Sequence, residues 1–246
     1  MRLFGLIGYP LSHSFSKKYF TDKFQQEEIE DAQYELFEIA QASLVKDVLV
    51  QNPALQGLNV TIPHKEAVIE FLDELDKPVQ SIGAVNVIKV LSNGKLKGYN
   101  SDYHGFKNSL LSFIPKDYLS IKALVLGTGG ASKAVKAVLE DLQIPYKMVS
   151  RTGSGSVLSY EDITEELVQE YKLIINTSPL GMYPHIDFAP VLPYLALSSS
   201  HFLFDLVYNP EETLFMSKGK AEGAKVKNGL EMLYLQAEKA WDIWNS

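Results

Sequence analysis

Short runs of apolar and β-branched residues alternate along the chain with longer segments whose apolar positions recur at i, i+3 and i+4. The runs at 3–7, 34–38, 57–60, 87–90, 96–99, 123–126, 147–149, 173–175, 202–205 and 224–227 predict strands. The segments at 17–24, 44–50, 66–75, 106–113, 134–142 and 230–244 predict helices. Strands joined through helical crossovers pair in parallel. One pair departs from this rule: 87–90 and 96–99 flank Ser92-Asn93-Gly94, and Asn-Gly is a hairpin signal. The fold class is α/β with mainly parallel sheets.

A chain of 246 residues, 46% hydrophobic, makes one large or two small globular domains. A boundary is expected near Asn100–Asp102, where the hairpin ends and a new βαβ pattern begins, and a second at Asn228-Gly229. Periodicity alone leaves open which half the last helix joins. Zero cysteines exclude disulfides, thiolate metal sites and a cysteine nucleophile. The net charge of −7 argues against nucleic acid or an anionic membrane as partner, since both reward clustered Lys and Arg. No run approaches the ~18 apolar residues of a spanning helix. The first apolar run breaks at Tyr9-Pro10, too soon for a signal peptide. A cytoplasmic monomer or homodimer acting on a small molecule is expected.

The strand 123–126 leads directly into Gly127-Thr128-Gly129-Gly130-Ala131-Ser132 and then into helical periodicity. Glycines at a strand-to-helix turn let backbone approach a pyrophosphate, and the helix N-terminus favours the anion. Ser132 stands at the third glycine of the G-x-G-x-x-G fingerprint and is small enough for close helix–strand packing. An NAD site places an acid ~20 residues on, at the ribose 2′-hydroxyl. This chain has Ser150-Arg151-Thr152 there, a cation between two hydroxyls, which suits a 2′-phosphate and hence NADP(H).

The first half carries polar residues where a plain core needs none. Ser12-His13-Ser14-Phe15-Ser16 follows the first strand; its serines either cap the next helix or bind a small oxyanion. Asn59-Val60-Thr61-Ile62-Pro63-His64-Lys65 runs off a strand towards the helix expected at 66–75, with Pro63 in its first turn. Lysine at the positive end of a helix is unfavourable there, which marks Lys65 as a candidate for chemistry. Asn86 precedes the hairpin, and Asn100-Ser101-Asp102 ends it. Such element ends gather at the C-terminal edge of a parallel sheet, where open α/β folds bind ligands. The five histidines show no i, i+4 pair, so no metal site is expected.

Taken together these segments resemble the shikimate dehydrogenase family over essentially the whole chain. The resemblance is carried by Gly8-x-Pro10 with Ser14-x-Ser16, Asn59 to Lys65, Gly83-Ala84-Val85-Asn86, Gly98 to Asp102 and Gly127 to Ala131. It continues through Asn176-Thr177-Ser178-Pro179-Leu180-Gly181-Met182, Asp205-x-x-Tyr208-x-Pro210 and Asn228-Gly229 with Met232, Leu233, Gln236 and Ala237. It implies a discontinuous N-terminal substrate domain, 1–101 with 229–246, and a Rossmann-type NADP-binding domain, 102–228. It also implies reversible NADPH-dependent reduction of 3-dehydroshikimate to shikimate. Ser14, Ser16, Asn59, Thr61, Asn86, Tyr208 and Gln236 would then hold the substrate, and Lys65 and Asp102 would form the catalytic pair. Gly127, Gly129, Gly130, Ala131, Ser150, Arg151, Thr152, Thr177, Met182 and Gly229 would hold the cofactor.

Several positions depart from the family's pattern: Lys17 where proline often stands, Val87 for Thr, Ser101 for Thr, Tyr103 for Gly and Ser150 for Asn. The alternatives are an NAD-preferring quinate/shikimate dehydrogenase, which Arg151 opposes, and a non-catalytic shikimate-binding paralogue. A mere binder has no need of both Lys65 and Asp102.

Overall fold

The computed structural model describes residues 1–11 and 14–246. Internal contacts divide the chain into two compact units, Met1–Ser101 with Ala237–Ser246, and Asp102–Gln236.

The first unit is built on a sheet of β1 (Arg2–Gly8), β2 (Ala32–Glu38), β3 (Leu55–Val60), β4 (Glu74–Leu75), β5 (Val87–Val90) and β6 (Leu96–Tyr99), in the order β2-β1-β3-β5-β6-β4. β1 pairs in parallel with both β2 and β3, whereas β5 runs antiparallel to β3 and to β6. The Asn-Gly hairpin thus inserts one reversed strand into the sheet, with Gly94 at φ +79° in its turn. One face of the sheet packs Ile7, Leu58, Val60 and Ile88 against α2 (Val45–Gln51) and α3 (Lys77–Ile82). The other packs Phe4, Leu6 and Tyr34 against Phe20 and Phe24 of α1 (Phe15–Gln26) and against Ala240 and Trp244. Trp244 is a core residue whose indole N–H donates to the Ile88 carbonyl at 3.0 Å.

The second unit holds β7 (Ala123–Leu126), β8 (Tyr146–Ser150), β9 (Leu158–Ser159), β10 (Leu173–Asn176), β11 (Phe202–Asp205) and β12 (Lys225–Lys227). Their order is β12-β11-β10-β7-β8-β9 and every pairing is parallel, the doubly wound arrangement. Successive residues of the central strands face opposite cores: Ala123, Val125, Ile175 and Phe204 one, Leu124, Leu126, Ile174 and Leu203 the other. Burial on both faces explains why these strands are continuous apolar runs. α4 (Ser101–Phe113), α5 (Gly130–Asp141) and the start of α8 (Leu230–Asn245) cover the first core, through Phe106, Leu110, Val135 and Met232. α6 (Glu165–Glu170) and α7 (Leu214–Ala221) cover the second. Among the described residues no helix is long and apolar enough to cross a membrane.

The helix expected at 66–75 does not form. The chain turns through a cis Ile62–Pro63 bond, makes a short 3₁₀ turn over Ala67–Phe71 and then enters β4. Pairing of β4 with β6 claims Glu74 and Leu75, so the apolar spacing read as helical serves a turn and an edge strand. Pro63 is therefore not in a helical first turn, and the helix-dipole argument for Lys65 lapses.

Candidate functional site

In the first unit, the C-terminal end of β3 gathers the polar side chains expected there. The α1 N-terminus is capped by Ser14, whose hydroxyl accepts from the Ser16 N–H at 3.3 Å. Ser12 and His13 lie outside the described residues. The buried phenol of Tyr34 donates to Asn59 Oδ1 at 2.7 Å. Asn59 Nδ2 in turn faces the Asn86 carbonyl at 3.5 Å. Asn86 holds the start of α4: its Oδ1 accepts from the Ser101 N–H at 2.6 Å and its Nδ2 donates to Ser101 Oγ at 3.0 Å. Asn59, Asn86 and Ser101 are all buried. Tyr34, Asn59, Asn86 and Ser101 thus form one hydrogen-bonded series.

Thr61 and Lys65 follow on the turn after β3, both half-buried. Thr61 is tied to β1 through its N–H to the Ile7 carbonyl, and the Lys65 carbonyl accepts from the Val85 N–H at 2.7 Å. Between them His64 is 3% exposed, with Nε2 2.7 Å from the Ile39 carbonyl. A carbonyl only accepts, so Nε2 carries the proton, and the ring anchors the turn that presents Lys65.

In the second unit, Asp102 is buried in the first turn of α4. One turn on, Gly105 brings the α4 backbone against Met232 and Gln236 of α8. Asp102 and Gln236 thus stand on neighbouring helices. Tyr208 is half-buried, and burial raises its pKa, so the hydroxyl keeps its proton.

The order of the second sheet reverses between β7 and β10, and the loops after these two strands face each other there. Gly127, at φ +121°, is required by both conformation and contact: a Cβ would lie 2.6 Å from Thr177 Oγ1. Gly129 is different. Its φ of −76° suits any residue, and a Cβ there would meet nothing within 4 Å. Its bareness leaves space in front of the amides of Gly130 and Ala131 at the α5 N-terminus, the cradle that a pyrophosphate fills. Ser132 is buried and donates to the Gly129 carbonyl at 2.6 Å. Past β8, Ser150 Oγ accepts from the Gly153 N–H at 3.2 Å, closing a turn that leaves Arg151 and Thr152 exposed. No acidic side chain pairs with Arg151 among the described residues. These groups fit an adenosine dinucleotide bearing a 2′-phosphate. Met182 is 46% exposed on the loop after β10. Gly229 is pressed against the Leu206 backbone and donates its N–H to the Val207 carbonyl at 3.1 Å, a packing role.

Asp205, at the end of β11, is a feature that sequence reasoning quoted without a role. Its carboxylate accepts from Asn176 Nδ2 at 2.9 Å, the Val207 N–H at 3.0 Å and the Thr213 hydroxyl at 2.6 Å. This turns Asn176 Oδ1 towards Ser178, whose N–H and hydroxyl both donate to it, and so shapes the loop to Met182. Burial pushes the Asp205 pKa up to about 6 from 3.8, with the three donors pulling the other way. The folded chain then holds this proton more tightly than the unfolded chain. The resulting stabilisation is complete below the unfolded value and is lost as pH rises through about 6. A shift of that size is worth about 3 kcal/mol. In urea unfolding, the stability of Asp205→Asn relative to the parent is expected to increase from acid pH to neutral by that order. A difference that stays flat with pH contradicts this.

His201 is fully buried, with Nδ1 accepting from the Ser198 N–H at 3.0 Å and Nε2 3.0 Å from the Val168 carbonyl, a structural arrangement for a neutral ring. Burial lowers its pKa. Among the described residues no group of three or more acidic or histidine side chains could hold a metal.

The family model for the shikimate dehydrogenase substrate binding domain matches residues 6–88. The shikimate dehydrogenase (NADP(+)) of Clostridium beijerinckii is 41% identical, over 99% of this chain and 92% of its own. Among solved structures, a shikimate dehydrogenase in complex with NADP+ is 32% identical with a TM-score of 0.87, over 99% of this chain and 90% of its own. That of Thermus thermophilus, in complex with NADP(H) and shikimate, is 30% identical with a TM-score of 0.85, over 99% of this chain and 93% of its own.

Proposed function

Because the chain belongs to the shikimate dehydrogenase family, we propose that it reduces 3-dehydroshikimate to shikimate, reversibly, with NADPH. The observation that carries the reading is the buried hydrogen-bonded series Tyr34–Asn59–Asn86–Ser101 at the end of β3, beside a turn that bears Lys65. Such an array of hydroxyls and amides suits a ligand with a carboxylate and several hydroxyls. Ser14 and Ser16 bind the carboxylate. Asn59, Thr61, Asn86, Tyr208 and Gln236 bind the remaining oxygens or share the carboxylate.

NADPH, when bound, supplies the hydride. Gly127, Gly129, Gly130 and Ala131 would hold its pyrophosphate, and Ser150, Arg151 and Thr152 its 2′-phosphate. Thr177 and Met182 would lie towards its nicotinamide, and Gly229 would serve the cofactor site through close backbone packing on Leu206. As the substrate carbonyl is reduced, its oxygen gains negative charge and needs a proton. Lys65 provides positive charge and a transferable proton at that oxygen, and Asp102 orients Lys65 and keeps the substrate hydroxyl hydrogen-bonded. The two groups act as a pair, with the substrate domain at 1–101 and 229–246 and the cofactor domain at 102–228. A cytoplasmic place fits an acidic, cysteine-free biosynthetic enzyme.

The cofactor reading is tested by titrating NADP and NAD into the parent and Arg151→Ala. Charge-assisted bonds to a phosphate are worth enough that NADP affinity falls roughly tenfold or more, with NAD affinity unchanged. Unchanged NADP affinity would remove Arg151 from the 2′-phosphate and favour the NAD-preferring quinate/shikimate relative.

A further inference from the structure

Tyr34 belongs to no motif that the sequence singles out, yet its hydroxyl joins the polar series at Asn59. It lies on β2, 2% exposed, opposite Phe4 of β1. Its ring stacks on Phe20 at 4.6 Å between centroids and 14° between planes, with Trp244 at 6.3 Å. The ring is therefore held by packing, and its hydroxyl reaches past β1 to Asn59 of β3, which pairs with Leu6.

The neighbours of this contact assign the Asn59 amide. The phenol has one proton, and it is given to Asn59 Oδ1 at 2.7 Å. On the opposite side Asn59 Nδ2 faces the Asn86 carbonyl, which only accepts. A flipped amide would set Oδ1 against that carbonyl and leave two oxygens in contact. The Asn86 carbonyl therefore selects Nδ2 as donor, and the phenol, donating to Oδ1 on the other side, holds the amide in that orientation. One of its protons faces Asn86; the other has no partner among the described residues.

We infer that Tyr34 is a positioning residue for substrate recognition: its buried hydroxyl fixes the Asn59 amide as a hydrogen-bond donor towards a ligand oxygen. The inference rests on Asn59 belonging to the substrate site proposed above. Burial raises the Tyr34 pKa, so the phenol remains a donor throughout the working range.

The test is steady-state kinetics on the full chain for Tyr34→Phe, Asn59→Ala and their double variant. Tyr34→Phe keeps the ring but leaves the buried Asn59 Oδ1 without its donor, so the amide is no longer held from both sides. Its kcat/KM for shikimate is expected to fall roughly tenfold or more, mostly in KM, with KM for NADP within about twofold. In the Asn59→Ala background the same change is expected to have less than about a twofold effect, since Tyr34 acts through Asn59. Parental kinetics for Tyr34→Phe beside an impaired Asn59→Ala would overturn the inference. So would an undiminished Tyr34→Phe effect in the Asn59→Ala background, the mark of a structural role. An Asn59→Ala variant with parental KM for shikimate would overturn the substrate-site reading itself, and this inference with it. Asn59→Asp adds a check that does not disturb Tyr34, because the carboxylate still accepts the phenol proton while offering the ligand an acceptor. Its shikimate affinity is expected to fall at least about tenfold, and parental affinity would overturn the claim that donor polarity matters.

Discussion

Replacing Lys65 by Ala is expected to lower kcat by at least ~10²-fold, the usual range for a lost proton-transfer group, with smaller changes in KM. The turn that bears Lys65 is fixed from three sides. Its backbone bonds to β1 through Thr61, the buried His64 is anchored to the Ile39 carbonyl, and the Lys65 carbonyl accepts from Val85. Removing the side chain beyond Cβ leaves these bonds in place, so the variant folds and binds. What it loses is positive charge and a proton at the oxygen where negative charge develops. Activity within threefold of the parent would refute the catalytic role.

Gly129→Val is the second large effect, and it separates a ligand requirement from a folding requirement. Because the backbone at Gly129 is extended and a Cβ there touches nothing, the variant's melting temperature is expected to fall by no more than a few degrees, the cost of a poorer α5 N-cap. Its side chain fills the space in front of the α5 N-terminus and displaces a pyrophosphate. A misplacement of about 1 Å costs roughly 10² in rate, so kcat/KM for NADPH is expected to fall by at least that factor. Gly127→Val provides the contrast: φ +121° and the approach to Thr177 make that change destabilising before any cofactor arrives. A Gly129→Val enzyme with parental NADPH kinetics would show that the turn is only structural.

Much of this architecture is legible in the chain because local pattern and global fold agree. The central strands of the second sheet are apolar on both faces, and β7, β11, β5 and β6 fall where the periodicity puts them. The misread segment, 66–75, has apolar residues spaced for a helix, but tertiary pairing of β4 with β6 outweighs that weak preference. The six-residue helices α3 and α6 and the two-residue strand β9 pass unnoticed because each is too brief for a period to register, and α7 because its apolar residues cluster in Leu214-Phe215-Met216 without a helical repeat.

The site divides the same way. Asn59, Asn86, Lys65 and Asp102 stand out because polar side chains at strand ends need a reason. Tyr34 does not, since an inward-facing tyrosine in a strand reads as core. Only the register, with Tyr34 and Asn59 on the same face of β1, shows that its hydroxyl crosses to a second strand. Asp205 was visible as one letter of a motif. Its work of orienting Asn176 depends on β10 and β11 being neighbours, which no local pattern reveals.

The most direct measurement is shikimate-dependent reduction of NADP and of NAD, followed at the absorbance of the reduced nicotinamide, with quinate as second substrate. Strong turnover with shikimate and NADP, and little with quinate or NAD, is the predicted result. No turnover with any pair, despite measurable shikimate binding, would contradict the account and leave Lys65 and Asp102 without a reaction to serve.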